Sequence, residues 1–225
     1  MKKLKLNFKI DWRSKIVDLL IVIIGITIAF KLNNWNDSIK TEREAKGYIE
    51  NFYNENIENQ KNLLLAIEFS ESNKNDIDTL KAILLAKNYS HKNISSLMAS
   101  MVAMANYSPS TTTMQNISAS GEFDLIKDIE LRKNLISTYD SYKTTATLEA
   151  LVSDYVNQYI TPFFFKNIRF SNFTSLRNDF TKDPVFENIV FGYDILLSQL
   201  INGYKENLEK LNLLNEKLTL ANKGE

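Results

Sequence analysis

Cysteine is absent from this chain of 225 residues, and histidine occurs only once, as His91. Without cysteine the chain has no disulfide framework and no thiolate ligand for zinc. A metal cluster would depend on carboxylates alone, and no serine has a second candidate base to activate it. We therefore predict no catalytic residue, no metal site and no cofactor, and we expect His91 to be a solvated loop residue.

Glycine and proline are also scarce, with six and three residues. The sequence contains no glycine-rich phosphate loop, dinucleotide fingerprint or His-Glu-x-x-His motif, which are the common signatures of nucleotide and metal enzymes. It also lacks the Asn-Gly and glycine-rich turns that join strands into hairpins. Acidic pairs such as Asp76 with Asp78 are typical of solvated helix surfaces. These absences predict an all-α protein that is not an enzyme.

One long apolar run stands near the N-terminus. From Ile16 to Leu32, twelve of seventeen residues are Ile, Val, Leu or Phe. Together they favour insertion into a bilayer by about 5 kcal/mol. Asp18 and Lys31 lie near the two ends of the run, where a charge costs less and lysine can reach water. The run predicts a transmembrane helix at residues 16–35.

Trp12 and Trp35 flank this helix at a separation of about 35 Å. Tryptophan is enriched at both membrane interfaces, so we interpret the two residues as interface anchors in the lipid bilayer. A cleaved signal peptide is an alternative, but no small-x-small cleavage site follows the run, because Ala29 is succeeded at once by Phe30. A buried helix of a soluble protein is the other alternative.

The distribution of charge predicts the topology. Six basic residues precede the span and three follow it within fifteen residues: Lys2, Lys3, Lys5, Lys9, Arg13 and Lys15 against Lys40, Arg43 and Lys46. By the positive-inside rule, residues 1–15 form a cytoplasmic tail and residues 36–225 an exported domain. An exported domain without cysteine suits a bacterial inner membrane and periplasm. From Leu32 onward 20 basic and 25 acidic residues remain, which argues against a nucleic-acid partner.

Within the span, Gly25 and Ala29 form a small-xxx-small pair that lets a second helix approach closely. Asp18 either pairs with a polar group of that helix or complements the positive end of its own helix. These three residues are candidates for a helix–helix contact in the membrane, either in self-association or with another membrane protein.

The exported domain begins with an amphipathic pattern without proline. It predicts a long helix from Ser38, or from a cap at Thr41, to Lys87, with a bend or a break in the polar run 70–76. A turn holding His91 follows, and then a methionine-rich helix at 94–107. Its methionines fill the core or line an adaptable groove.

Two helix boundaries are marked clearly. Ser120 and Gly121 predict a helix end, since glycine adopts the left-handed conformation there. Asp128 is expected to cap the next helix, whose buried face holds Leu131, Leu135, Ile136 and Tyr139. We interpret the corner between these helices as structural, with a distal recognition loop as the alternative.

The C-terminal third contains another predicted helix from Leu148 to Phe165, which ends near Pro162. The residues Phe163, Phe164 and Phe165 are candidates for a partner surface or for a plug of the core. Asp183 and Pro184 are expected to open the last helix. Its apolar positions, spaced by threes and fours and broken by Asn207, predict coiled-coil-like packing in an extended antiparallel bundle that continues from the transmembrane helix.

Three strings of the sequence resemble one family. DLLIVIIGITIAFKLNNWN, TTTMQNISASGEFDLIKDIELRKNLISTY and DPVFENIV are similar to recurring blocks of an uncharacterised bacterial family of small single-pass envelope membrane proteins that carry a domain of unknown function. Lys31 departs from the uncharged residue expected there. The resemblance implies a membrane-tethered helical protein and supplies no catalytic residue.

Two functions fit these features. In the first, the exported bundle is a structural or protein-interaction module that binds another envelope protein. In the second, the chain is a sensor whose bundle binds a small ligand and signals through an intramembrane partner, because fifteen residues are too few for a cytoplasmic signalling domain.

Overall fold

The computed structural model describes residues 12–171, 174–177 and 180–223, except for the side chains of Arg13 and Ser14. The basic residues of the predicted tail before Asp11 lie outside this part of the chain. Within the described residues the chain forms six α-helices: α1 (Trp12–Leu85), α2 (Ile94–Ala99), α3 (Thr112–Ser120), α4 (Ile129–Tyr155), α5 (Thr161–Asn167) and α6 (Pro184–Lys223). Two short antiparallel strands, β1 (Ile168–Arg169) and β2 (Thr174–Ser175), follow α5. The predicted all-α class is confirmed.

The chain divides into two compact units, Met1–Gly47 and Tyr48–Glu225. The described part of the first unit consists of α1 residues, and none of those with a described side chain is buried. The second unit contains the remainder of α1, all later helices and the hydrophobic core.

Helix α1 is continuous from Trp12 to Leu85, so no helix begins at the predicted cap, Ser38 or Thr41, and the predicted break in the run 70–76 is not present. The polar run does not break the helix because part of it faces inward and finds a partner there. Asn73 is buried, and its Nδ2 donates to the carbonyl oxygen of Ala103 at 2.7 Å. A helix tolerates buried amides when their hydrogen bonds are satisfied by the packed chain.

The long helices of the second unit pack around one another with α6 antiparallel to its neighbours. Ser141 Oγ donates to Asn207 Oδ1 at 2.9 Å between α4 and α6, and Tyr155 reaches the Ile189 carbonyl further along the same pair. Asn56 Nδ2 donates to the Leu211 carbonyl at 3.0 Å between α1 and α6. The apolar face predicted for α6 is buried: Val190, Tyr193, Leu197, Leu200, Tyr204, Leu211, Leu214 and Leu218.

The shorter elements confirm some predicted boundaries and correct others. Helix α3 ends at Gly121, whose φ of 74° is left-handed. Asp128 caps α4 by accepting from the backbone of Glu130 at 2.8 Å, and Pro184 opens α6. The methionine-rich helix is shorter than predicted: α2 ends at Ala99, and residues 103–110 are not helical. Met98 and Met101 are fully buried, as residues that fill a core are.

Phe163, Phe164 and Phe165 lie on α5, and the helix predicted to begin at Leu148 does not begin there, because Leu148 lies inside α4. A π-helical turn at Val156–Ile160 follows α4, and Pro162 lies in the first turn of α5 instead of ending a helix. Pro162 has no N–H to donate, and the helical run nevertheless continues through it from α4 by way of the π-helical turn. Phe164 is fully buried and Phe163 stacks on Phe186 with ring centroids 5.6 Å apart. Phe165 is 67% exposed, whereas Phe163 is half-buried, so Phe165 is the most accessible of the three rings.

Candidate ligand-binding groove

The residues predicted to work in the membrane all lie on the first-unit part of α1. Trp12, Trp35, Asp18, Gly25 and Ala29 are exposed, and among the described residues none outside the neighbouring turns of α1 lies close to the side-chain position of Gly25. Among the described residues one helix is long and apolar enough to cross a membrane. None of the residues in its most apolar stretch is buried against the rest of the chain. The roles of the two indoles and of the small residues stay predictions.

In the second unit, four tyrosines from three elements form what we call the tyrosine cluster: Tyr107, Tyr139, Tyr142 and Tyr204. Tyr139 and Tyr142 lie one turn apart on α4, with ring centroids 5.2 Å apart. Tyr107 comes from the non-helical segment 103–110 and lies 6.0 Å from Tyr142 and 6.2 Å from Tyr204 of α6. Tilted and edge-on contacts at these distances are favourable for aromatic rings.

Hydrogen bonds to α1 hold the segment that carries Tyr107. Asn59 clamps its far end, since Asn59 Nδ2 donates to the Ser110 carbonyl at 2.9 Å and Asn59 Oδ1 accepts from the Ser110 N–H at 2.8 Å. Asn73 binds Ala103 at the near end. The segment is therefore fixed to α1 without being helical, because side-chain amides satisfy its backbone groups.

Glu55 of α1 accepts the hydroxyl hydrogen bond of Tyr139. It also accepts from the Thr113 N–H at 3.0 Å and from Ser110 Oγ at 3.0 Å. This carboxylate thereby connects α1, the start of α3 and the tyrosine cluster.

Glu149 of α4 binds two other tyrosines of the cluster, Tyr107 and Tyr204. It accepts from the Tyr204 hydroxyl and, at 2.7 Å, from the Tyr107 N–H. Asn59 Nδ2 donates to the Tyr142 hydroxyl at 3.2 Å. Two half-buried carboxylates and one amide therefore organise the four rings.

Burial keeps these phenols protonated. It raises the pKa of Tyr142 to about 12. Burial also raises the pKa of Tyr107, Tyr139 and Tyr204, and the nearby carboxylates act in the same direction. A phenol that donates to a carboxylate loses that hydrogen bond on ionisation, so its neutral form is favoured. At neutral pH the four phenols are therefore uncharged, and Tyr139 and Tyr204 donate to carboxylates.

Tyr107, Tyr139 and Tyr142 of the cluster form one wall of an open groove of about 600 Å³, the tyrosine groove, between the segment 106–115 and α4. Its lining is mostly apolar and aromatic: Tyr107, Pro109, Met114, Ile136, Tyr139, Tyr142 and Ala146. Glu149 lies in it as well, and Lys143 pairs with Asp140 at its surface, Nζ to Oδ1 2.8 Å. Ile136 is 48% exposed, so the prediction that it belongs to the buried face of α4 is wrong.

Sequence reasoning did not find this groove. The sequence predicted Tyr139 as a core residue but did not indicate Glu55, Tyr107 or Glu149. These three residues are far apart in the chain, and no spacing pattern shows that they meet. His91 lies apart from the groove, in its predicted turn, where its Nδ1 accepts from the Asn93 N–H at 3.2 Å. Across the described residues, no group of three or more His, Cys, Asp or Glu side chains is placed to hold a metal ion.

The structure thus defines an all-α protein with one helix able to span a membrane and a tyrosine-walled groove in its second unit. The chain belongs to the family of unknown function DUF6090, which matches residues 18–165. The match includes most of the apolar run and every residue that lines the groove, while the string DPVFENIV lies beyond it. A comparison with curated proteins found no match, and a comparison with solved structures found none.

Proposed function

We propose that the chain is a single-pass protein of the bacterial inner membrane whose domain at 36–225 lies in the periplasm and binds another envelope protein. The observation that carries the proposal is the exposure of the apolar run on α1. Ile26 and Phe30, for example, are each 65% exposed within the chain. Apolar surface on this scale is stabilised by about 25 cal/mol per Å² when it leaves water, and a bilayer supplies that environment.

The protein-interaction role is supported by a second set of exposed apolar side chains, on the part of α1 that belongs to the second unit. We call Ile57, Leu64, Leu65 and Phe69 the α1 stripe; all four are exposed. Neighbouring exposed apolar residues on a folded domain mark interaction surfaces more often than isolated ones do. Phe165 on α5 is a further candidate contact.

The membrane placement is tested by washing membranes with alkaline carbonate and by fusing a periplasmic reporter enzyme to the C-terminus. We expect the full chain to stay in the pellet and the reporter to be active. Release of the chain by carbonate, or a silent reporter on a stably expressed fusion, would contradict the proposal.

The interaction is tested by placing a photo-crosslinking amino acid at Leu65 or Phe165 in cells, with Glu209, an exposed residue of α6, as the matched control. We expect a discrete adduct from at least one apolar position and none from Glu209, with the partner identified by mass spectrometry. The same adduct pattern at all three positions would show random collision and would count against an interaction surface.

The second candidate is a sensor, and the tyrosine groove favours it. A groove of about 600 Å³ is within the range of small-molecule sites. In this candidate, ligand binding changes the packing of α4 against α1 and the change reaches an intramembrane partner through Asp18, Gly25 and Ala29. A ligand-dependent change in crosslinking at Gly25 would support it, and crosslinking that is identical with and without the bound ligand would contradict it.

A further inference from the structure

We propose that the tyrosine groove binds a small organic cation, that is, a compact apolar or aromatic body carrying a protonated amine or a quaternary ammonium group. If the chain is a sensor, as in the second candidate function, this cation would be the ligand that it senses. The binding itself depends on the groove and not on membrane placement or on a protein partner.

The first argument is the shape and lining of the groove. Its volume of about 600 Å³ accommodates a small molecule. Pro109, Met114, Ile136 and Ala146 provide apolar contacts, and none of them is needed for a cap or a buried hydrogen bond. Since Ile136 and Ala146 are exposed at the surface of α4, a ligand body that covers them removes apolar area from water.

The second argument is charge. Asp140 and Lys143 neutralise each other at the surface of the groove. Glu149 has no cation within 4.0 Å among the residues that the structure describes, so the groove carries one uncompensated negative charge. Its oxygen Oε1 takes the hydrogen bonds of Tyr107 and Tyr204. A cationic ligand compensates this charge, whereas an anion would be repelled by it.

The third argument is the tyrosine cluster. Aromatic rings attract ammonium groups through their quadrupole, and aromatic cages are a known use of this interaction in ligand recognition. Three rings, Tyr107, Tyr139 and Tyr142, line the groove beside Glu149.

The experiment uses the full chain in lipid nanodiscs, with empty nanodiscs subtracted, and measures binding by calorimetry and ligand-observed NMR. The probes are three molecules of similar shape: phenethylammonium, the uncharged 2-phenylethanol and the anionic phenylacetate. We expect phenethylammonium to bind at least tenfold more tightly than 2-phenylethanol, and phenylacetate to bind more weakly than either. Equal affinity for the three probes, or no binding of phenethylammonium, overturns the proposal.

Two substitutions locate the site. Ala146→Trp fills the groove without removing a hydrogen bond and should weaken phenethylammonium binding at least tenfold. Ala150→Trp, at an exposed position one turn further along α4 and outside the lining, should leave it within twofold. If Ala146→Trp has no effect, the cation binds elsewhere and the proposal fails.

Glu149→Gln tests the charge itself. It should weaken phenethylammonium binding about tenfold and change 2-phenylethanol binding less than twofold, which a merely structural effect would not do. Far-UV circular dichroism shows whether this variant is folded. If it is not, the two tryptophan variants still decide the question. Failure of these binding tests leaves the carbonate and reporter results unaffected, so this inference and the membrane proposal fail separately.

Discussion

The Lys74 ammonium of α1 lies 3.0 Å from the Asp194 carboxylate of α6. Lys81 approaches the other oxygen of that carboxylate at 2.5 Å, and Asp78 pairs with both lysines. Lys74 and Asp194 Oδ1 form an ion pair, but their geometry is not that of a hydrogen bond. Lys81 donates a hydrogen bond to Asp194 Oδ2. Asp194 is thus a half-buried charge held between two cations, and it connects α1 to α6.

Asp194→Asn should therefore destabilise the second unit. The substitution removes a charge-assisted hydrogen bond and leaves two lysines close together, with an expected loss of about 1–3 kcal/mol in the free energy of unfolding. Urea titration followed by circular dichroism measures it. Lys133→Gln, which removes an exposed ion pair with Glu130, is the control and should leave the free energy of unfolding unchanged within the error of the titration. Equal effects of the two variants would contradict the assigned role of Asp194.

The buried tyrosines should make the fold sensitive to alkali. Because burial raises the pKa of Tyr142 and Tyr193 to about 12, their contribution to stability is present below the unfolded value of about 10 and is lost as pH rises above it. Absorbance at 295 nm should show fewer than the ten tyrosines ionised in the folded chain at pH 11, and the rest should ionise together with unfolding. In the Tyr193→Phe variant, the absorbance change that accompanies unfolding should be smaller by the amount of one tyrosine. Ionisation of all ten before any loss of helical signal would refute this.

Helices α1 and α3 both end at a residue with left-handed backbone conformation and the same pattern of backbone hydrogen bonds. Substitutions at these two residues should change the free energy of unfolding in opposite directions. Gly121 has φ 74° after α3, and Lys87 has φ 56° after α1. We expect Gly121→Ala to destabilise by about 1 kcal/mol and Lys87→Gly to stabilise by up to about 1 kcal/mol, because only glycine adopts this conformation without steric cost. Thermal unfolding of the two single variants measures both. The same sign for both changes would show that backbone conformation does not dominate at these positions.

Asn207 on α6 is buried and accepts from Ser141 Oγ at 2.9 Å, while its own Nδ2 has no partner among the described residues. Leucine would continue the apolar face of α6. Asn207→Leu combined with Ser141→Ala should therefore raise the free energy of unfolding by about 1 kcal/mol or more, because an unsatisfied donor is removed and apolar area is buried. Asn207→Leu alone should gain less, since the Ser141 hydroxyl then faces leucine and keeps only its hydrogen bond to the Thr138 carbonyl at 2.6 Å. A double variant less stable than either single one would contradict this reading of the pair.

The sequence predicted the local features well where a local physical cause sets them. The apolar run at 16–32, the end of α3 at Gly121, the Asp128 cap and the buried face of α6 follow from hydropathy, backbone freedom and helical spacing. The break predicted as one alternative for the run 70–76 was wrong, because the polarity of the run was read as exposure. In the structure, Asn73 is buried against the Ala103 carbonyl, a partner that lies thirty residues away in the chain.

The sequence by itself determined that this protein is helical, that it has one helix apolar enough for a membrane, where α3 ends and where α4 and α6 begin. These properties depend on residues within a few turns of each other. Only the tertiary structure decided that Glu55, Tyr107, Tyr139 and Glu149 meet, that Phe164 is buried while Phe165 is not, and that Ile136 lines a groove. The reason is that each of these depends on which helices pack together, and hydrogen bonds between side chains distant in sequence have no periodic signal.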